Sequence, residues 1–261
     1  MNLLFVGDVV GEAGRRVLLG RLPVLRERFK LDAVVVNIEN AAGGFGVTDK
    51  ILRECLAHKI DVLSSGNHIF DKRGALDLVA QEPRLLRPHN YPAGTPGSGW
   101  YVGQTAQGEP FAVLNVMGTA FMHPTLDCPF TCAKTTLATK PPHIKVVLVD
   151  CHAEATSEKM AMGWFLDGLV SAVVGTHTHV PTADERVLPG GTAYISDVGM
   201  TGCYDSVIGM NKDKVLRRMV QKLPERLEVA EGPATLCGVV IDIDGKTGRS
   251  RSIQRVSLRE D

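Results

Sequence analysis

Short apolar runs and amphipathic stretches alternate along the first third of the chain. Residues 3–6 are continuously apolar and read as a buried strand. Residues 15–29 carry Val17, Leu18, Leu22, Leu25 and Phe29 close to helical spacing, with Pro23 expected to bend or interrupt the helix. Residues 33–38 form a second apolar run. Thr48 can cap a helix to about residue 59, with Ile51, Leu52, Cys55 and Leu56 on one face. A third strand follows at 60–63 and another helix at 73–81. This β-α-β-α-β-α order predicts parallel strands covered by helices.

The middle of the chain breaks the rhythm. Residues 87–99 are rich in Pro and Gly and read as loop, and 100–102 and 111–116 as strands. Residues 117–142 hold four prolines and two cysteines and are expected to be irregular, as a lid or binding loop would be. Order resumes with strands at 145–149, 169–174 and 192–196, a helix at 157–166, and a helix capped by Asn211 and running to about 222. Residues 234–243 and 249–258 read as strands joined by Asp244-Gly245-Lys246-Thr247-Gly248, a hairpin signal. No linker, internal repeat or low-complexity segment divides the 261 residues, so one α/β domain over 1–261 with two sheets between helices is expected.

The polar residues that follow the strands carry the chemistry. The five strand ends read Gly7-Asp8, Glu39-Asn40, Gly66-Asn67-His68, Asp150-Cys151-His152 and Gly175-Thr176-His177-Thr178-His179. Parallel strands have their C-terminal ends on one edge, where open α/β sheets bind ligands. Each piece alone has a bland reading as a turn, a cap or a satisfied core histidine. His177 and His179 are better, because residues two apart on an extended chain face the same way. Converged without a cation, so many carboxylates, amides and imidazoles would be costly to bury. With no thiolate set, a structural zinc site is not indicated; mixed ligands suit iron, manganese or zinc in an open catalytic site, and their number fits two ions better than one. His58, His89 and His143 are expected at the surface, and His123 in the middle segment is a weaker candidate for reaching the site.

Composition removes other classes of function. Lys plus Arg and Asp plus Glu are both 29, so no basic excess predicts a stable nucleic-acid complex. No apolar stretch is long enough to span a bilayer, and no signal-peptide core opens the chain, so a cytoplasmic protein without a membrane partner is expected. The six cysteines form no Cys-x-x-Cys pair and read as free, buried thiols. A homo-oligomer is left open.

The set of strand-end motifs, spread from residue 7 to residue 179, resembles the calcineurin-like metallophosphoesterase superfamily. Its usual Asp-x-His is here Asp8-Val9-Val10, and its usual bridging Asp is here Glu39 followed by Asn40. Both departures resemble the YmdB-like bacterial branch, in which Gly-Asp-x-x-Gly (Gly7 to Gly11) and Glu-Asn-Ala (Glu39 to Ala41) stand at these places. The resemblance implies a four-layer α-β-β-α sandwich of two mixed sheets. It implies that Asp8, Asn40 and His179 hold one metal, that Asn67, His152 and His177 hold the other, and that Glu39 bridges them. It implies His68 as general acid, iron or manganese as the metals, and small phosphodiester or nucleotide substrates such as 2′,3′-cyclic nucleotides. Two ions about 3.5–4 Å apart would then activate water at neutral pH. A phosphomonoesterase, or a nucleotide-binding regulatory protein with little turnover, are the alternatives.

Overall fold

The computed structural model describes residues 1–260. In chain order the elements are β1 (Asn2–Val6), α1 (Gly11–Phe29), β2 (Ala33–Asn37), α2 (Asp49–Ala57), β3 (Val62–Ser64), α3 (Ala75–Gln81), β4 (Trp100–Gln104) and β5 (Pro110–Met117). Then come α4 (Pro129–Ala138), β6 (Val146–His152), α5 (Thr156–Phe165), β7 (Ala172–Thr176), β8 (Arg186–Val187), β9 (Ala193–Ile195) and β10 (Gly202–Cys203). The chain closes with α6 (Lys212–Gln221), β11 (Ala234–Ile243) and β12 (Ser250–Arg259).

Two mixed six-stranded sheets result. The first runs β10-β11-β1-β2-β3, with β12 on the far side of β11, and the second runs β4-β5-β6-β7-β9-β8. β1, β2 and β3 are parallel, as are β5, β6, β7 and β9; the remaining pairs are antiparallel. The alternation of side chains along a strand explains why these strands are apolar on both faces. In β1, Leu3 and Phe5 point into the layer between the sheets, where they meet Val113 and Leu148 of the second sheet. Leu4 and Val6 point outward to Val17, Leu18 and Leu22 of α1. On the other side, Leu114 and Val149 of the second sheet pack with Ala133 of α4 and Met162 of α5. The order of layers is helix, sheet, sheet, helix, as expected.

Three local expectations need correction. Helix α1 begins at Gly11 rather than residue 15 and passes through Pro23 unbroken. Pro23 lies on the exposed face, where water can satisfy the carbonyl its missing N–H leaves free. Residues 117–142 are not irregular throughout. They contain α4, with Pro129 in its first turn, buried through Ala133 and through Phe130 edge-on to Phe165. Thr48 precedes α2 with an extended backbone but its side chain makes no capping bond. Asn211 does cap α6, its Oδ1 accepting from the N–H groups of Asp213 and Lys214.

Candidate active site

The C-terminal ends of β1, β2 and β3 in one sheet and of β6 and β7 in the other open onto the same edge of the sandwich. Asp8, Glu39, Asn67, His152 and His177 meet there. His152 Nε2 lies 3.1 Å from Glu39 Oε1, 3.1 Å from Asn67 Oδ1 and 3.1 Å from His177 Nδ1. One ligand atom from each of Glu39, His152 and His177 falls within 4.8 Å of the others. Asp8 Oδ2 accepts from the His177 N–H at 3.2 Å, and Asp8 Oδ1 lies 3.9 Å from His152 Nδ1. Asn40, His68 and His179 join Glu39 and His177 in lining a cleft of about 340 Å³. Phe45, Ile208 and Met210 give that cleft an apolar wall, and Glu154 and Thr178 a polar one.

Gly66 makes the approach possible. A methyl group there would overlap the His152 ring and the Glu39 carboxylate. Both His177 and His179 have left-handed backbones, with φ of 100° and 66°. Each such conformation costs on the order of 1–3 kcal/mol for a non-glycine residue.

Every imidazole has its second nitrogen held. Thr176 Oγ1 donates to Asp150 Oδ1 at 2.7 Å and so accepts from His152 Nδ1 at 2.9 Å, which turns His152 Nε2 toward the cluster. Glu154 lies 3.1 Å from His177 Nε2. His179 Nδ1 donates to the Ile208 carbonyl at 2.8 Å, and His68 Nδ1 lies 2.7 Å from Asp71. Phe45 packs edge-on against the His68 ring. Glu154, Asp71, Asp150, Thr176 and Ile208 were not among the sequence candidates. Asp71, three residues after His68, is the one whose spacing offered a signal.

Glu39 and His152 form a buried ion pair that dominates the electrostatics of the cluster. Burial opposes ionisation of Glu39, yet His152 and the bond from the His68 N–H hold its carboxyl at about 2. Burial likewise opposes charge on His152, and Glu39 overcomes it, lifting that imidazole to about 9. Burial, with the neighbouring His152, holds His177 down at about 3. Burial pushes Asp8 up, and Asp197 and Glu39 add to the rise while His179 and His152 oppose it. Two buried oxygens, Asp8 Oδ1 and Asn40 Oδ1, have no hydrogen-bond partner. Converging ligand atoms of Glu39, His152 and His177, with orphaned oxygens on the adjoining Asp8 and Asn40, are what a hard or borderline divalent cation accepts. The residues present therefore fit a metal site.

The matching family model, described as YmdB-like protein, spans residues 4–256. The chain belongs to the YmdB-like family. A Bacillus subtilis member named 2′,3′-cyclic-nucleotide 2′-phosphodiesterase is 47% identical, over 100% of this chain and 98% of its own length. The crystal structure of a Thermus thermophilus protein, titled a hypothetical protein, superposes with a TM-score of 0.93 at 41% identity, covering 100% of both chains. That of a Mycoplasma pneumoniae protein, titled a novel phosphatase, superposes with a TM-score of 0.94 at 33% identity, over 100% of this chain and 94% of the other.

The other histidines are far less involved. His58 and His143 are exposed as expected, and His123, the weaker candidate for reaching the site, is exposed and does not line the cleft. His89 is not a surface residue: it is half-buried, and its Nδ1 accepts from the Gly99 N–H. Cys151 faces the outer core rather than the site. All six cysteines are free, but Cys128 is exposed rather than buried and Cys132 is half-buried. No helix among the described residues is long and apolar enough to cross a membrane.

Proposed function

We propose that this chain is a metal-dependent phosphodiesterase acting on cyclic nucleotides, with 2′,3′-cyclic nucleotides as the substrate class. The observation that carries the reading is the convergence of Glu39, His152 and His177, one ligand atom of each within 4.8 Å of the others, beside the unpartnered oxygens of Asp8 and Asn40. The name of the Bacillus subtilis relative supports the substrate class. The chain is a phosphoric ester hydrolase in this reading.

Asn67, His152 and His177 would hold one ion and Asp8, Asn40 and His179 the other, with Glu39 serving both. Iron and manganese suit this set of imidazole, carboxylate and amide donors. When bound, two such ions supply Lewis acidity toward the phosphate and make a nucleophile of water near neutral pH. The protein's own contribution is orientation and proton delivery. Thr176 and Glu154 fix the His152 and His177 rings so that their free lone pairs face inward. His68, steadied by Asp71 at Nδ1 and by Phe45 at its ring, keeps Nε2 for the cleft and passes a proton from it to the departing oxygen. The wall of Phe45, Ile208 and Met210 offers an apolar face to a nucleobase. Opening a 2′,3′-cyclic phosphate at the 2′ side leaves a nucleoside 3′-phosphate. Six free thiols suit a reducing compartment, in keeping with the cytoplasm.

The test is hydrolysis of bis-nitrophenyl phosphate with added manganese, beside His179→Ala, followed by 2′,3′-cyclic nucleotides. Manganese-dependent turnover lost in the variant, and a 3′-phosphate product, are expected. Turnover of nitrophenyl phosphate with none of the bis-ester would replace the diesterase by a monoesterase. Tight binding of the cyclic nucleotide with no product would leave a binding protein.

A further inference from the structure

His177 and His179 flank Thr178, and all the strain of the segment lies on the two histidines. Thr178 is the residue the fold grips. Its hydroxyl donates to Asp197 Oδ2 at 2.8 Å and its N–H donates to the same oxygen at 3.2 Å. That oxygen also accepts from Lys159 Nζ at 2.8 Å, and the second carboxylate oxygen accepts from the Gly199 N–H at 2.9 Å. Lys159, from α5, and Asp197, beyond β9, are each 1% exposed. Lys159 Nζ further reaches the Thr176 carbonyl at 3.4 Å.

A second set of bonds ties the same two stretches of backbone together. The Val198 N–H donates to the Gly175 carbonyl and the Met200 N–H to the His179 carbonyl. Gly175 has no room for a side chain against Ser196 and Lys159. Residues 196–200 therefore lie as a splint along residues 175–179. Nothing in a core-packing role requires a buried ammonium and carboxylate here; apolar residues of similar volume would commonly serve stability as well or better. A charged oxygen that accepts three donors does fix direction, because each bond is charge-assisted and two of the three are short, at 2.8 Å.

We propose that Asp197, neutralised by Lys159, is a positioning residue that locks Thr178 and thereby sets the spacing of the His177 and His179 imidazoles. The inference rests on the reading that this cleft binds metal. Neither residue touches the cleft cluster itself. The ion pair acts through the threonine between the two histidines, and the Thr178 hydroxyl is the link that can be cut without leaving a buried charge alone.

The experiment measures manganese affinity of the full chain by calorimetric titration after chelation, with no substrate present. Thr178→Val keeps the shape and removes the hydroxyl; Thr178→Ser keeps the hydroxyl. Loss of an orienting partner of a metal ligand weakens binding by about 10–100-fold, so Thr178→Val is expected to bind manganese at least about 10-fold more weakly and Thr178→Ser within about twofold of wild type. Thr178→Ala, which removes the hydroxyl without a branched replacement, is the second variant and must show the same loss as Thr178→Val. Wild-type affinity in either hydroxyl-free variant, or equal weakening in Thr178→Ser, overturns the proposal. The metal reading fails separately, if the wild-type chain binds no manganese or His152→Ala binds it equally well.

Discussion

The two halves of the cleft are built differently. Around His152, the ligand atoms of Glu39, Asn67 and His177 already stand 3.1 Å from one ring nitrogen, with His152 and Glu39 buried and Asn67 and His177 half-buried. Around Asp8, Asn40 and His179 the polar atoms are committed elsewhere or to nothing. His179 holds the Ile208 carbonyl, Asn40 Nδ2 donates to the Gly44 carbonyl, and an oxygen of each of Asp8 and Asn40 is unpartnered. The first half is assembled by strand ends, which the sheets fix. The second leans on the glycine-bearing loop 40–46 and on the loop carrying Ile208. Rigid elements deliver a cluster; loops deliver side chains whose oxygens wait for a ligand.

Breaking the assembled half should have the largest effect. Gly66→Ala inserts a methyl group into the His152 ring and the Glu39 carboxylate, so hydrolysis of bis-nitrophenyl phosphate is expected to fall below detection while circular dichroism still shows a folded chain. Next comes His68→Ala. Esters with poor leaving groups should slow by roughly 10²–10⁴-fold and those with good leaving groups much less. Equal slowing of both would remove the acid role. Asn40→Ala attacks the loop-held half alone: manganese bound per chain, read by elemental analysis, should drop while the sites around His152 stay filled, with affinity there changed less than the roughly 10–100-fold expected on the damaged side. Glu154→Gln is milder still. It keeps a hydrogen-bond partner at His177 Nε2 and loses only the charge, so about a 10-fold loss of activity is the upper bound.

The smallest effect lies outside both halves and sets their baseline. The Cys128 thiol is exposed, and bonds from the Thr131 backbone and side chain hold it below its ordinary value, while burial pushes Cys55 up to about 12. A lowered pKa means the thiolate fraction rises at lower pH. Mass spectrometry after brief iodoacetamide treatment near neutral pH should find Cys128 labelled, Cys55 untouched and activity unchanged.

Much of this was legible in the chain. The strand ends stood out because apolar runs such as residues 3–6 and 33–38 stop abruptly at Asp8 and Glu39, and parallel pairing then brings those ends to one edge. Orientation was not legible. Whether His152 presents Nε2 or Nδ1 depends on Thr176 and Asp150, which stood in the strand-end motifs without a role of their own. The partner of His179 is a main-chain carbonyl, which no residue type announces. Helix α4 was hidden by its three threonines and Cys132, which favour helices weakly, and forms because Ala133 and Phe130 find apolar neighbours. Pro23 misled for the opposite reason: its local rule holds, and the burial of Val17, Leu18, Leu22 and Leu25 on the same helix outweighs it.

The pairing of β1 with β11 has a consequence for biosynthesis. β1 sits between β2 and β11, so one of its two neighbours comes from residues 234–243, and the Met1 ammonium itself donates to the Ile243 carbonyl. Every candidate ligand has been synthesised once residue 179 is made, whereas the first sheet gains its flanking strand only some sixty residues later. A nascent chain thus carries its imidazoles and carboxylates before the framework under Asp8 is closed. Folding of the first sheet waits on one of the most non-local pairings available to the chain, which slows it, and a strand made after every candidate ligand completes the sheet beneath the candidate site.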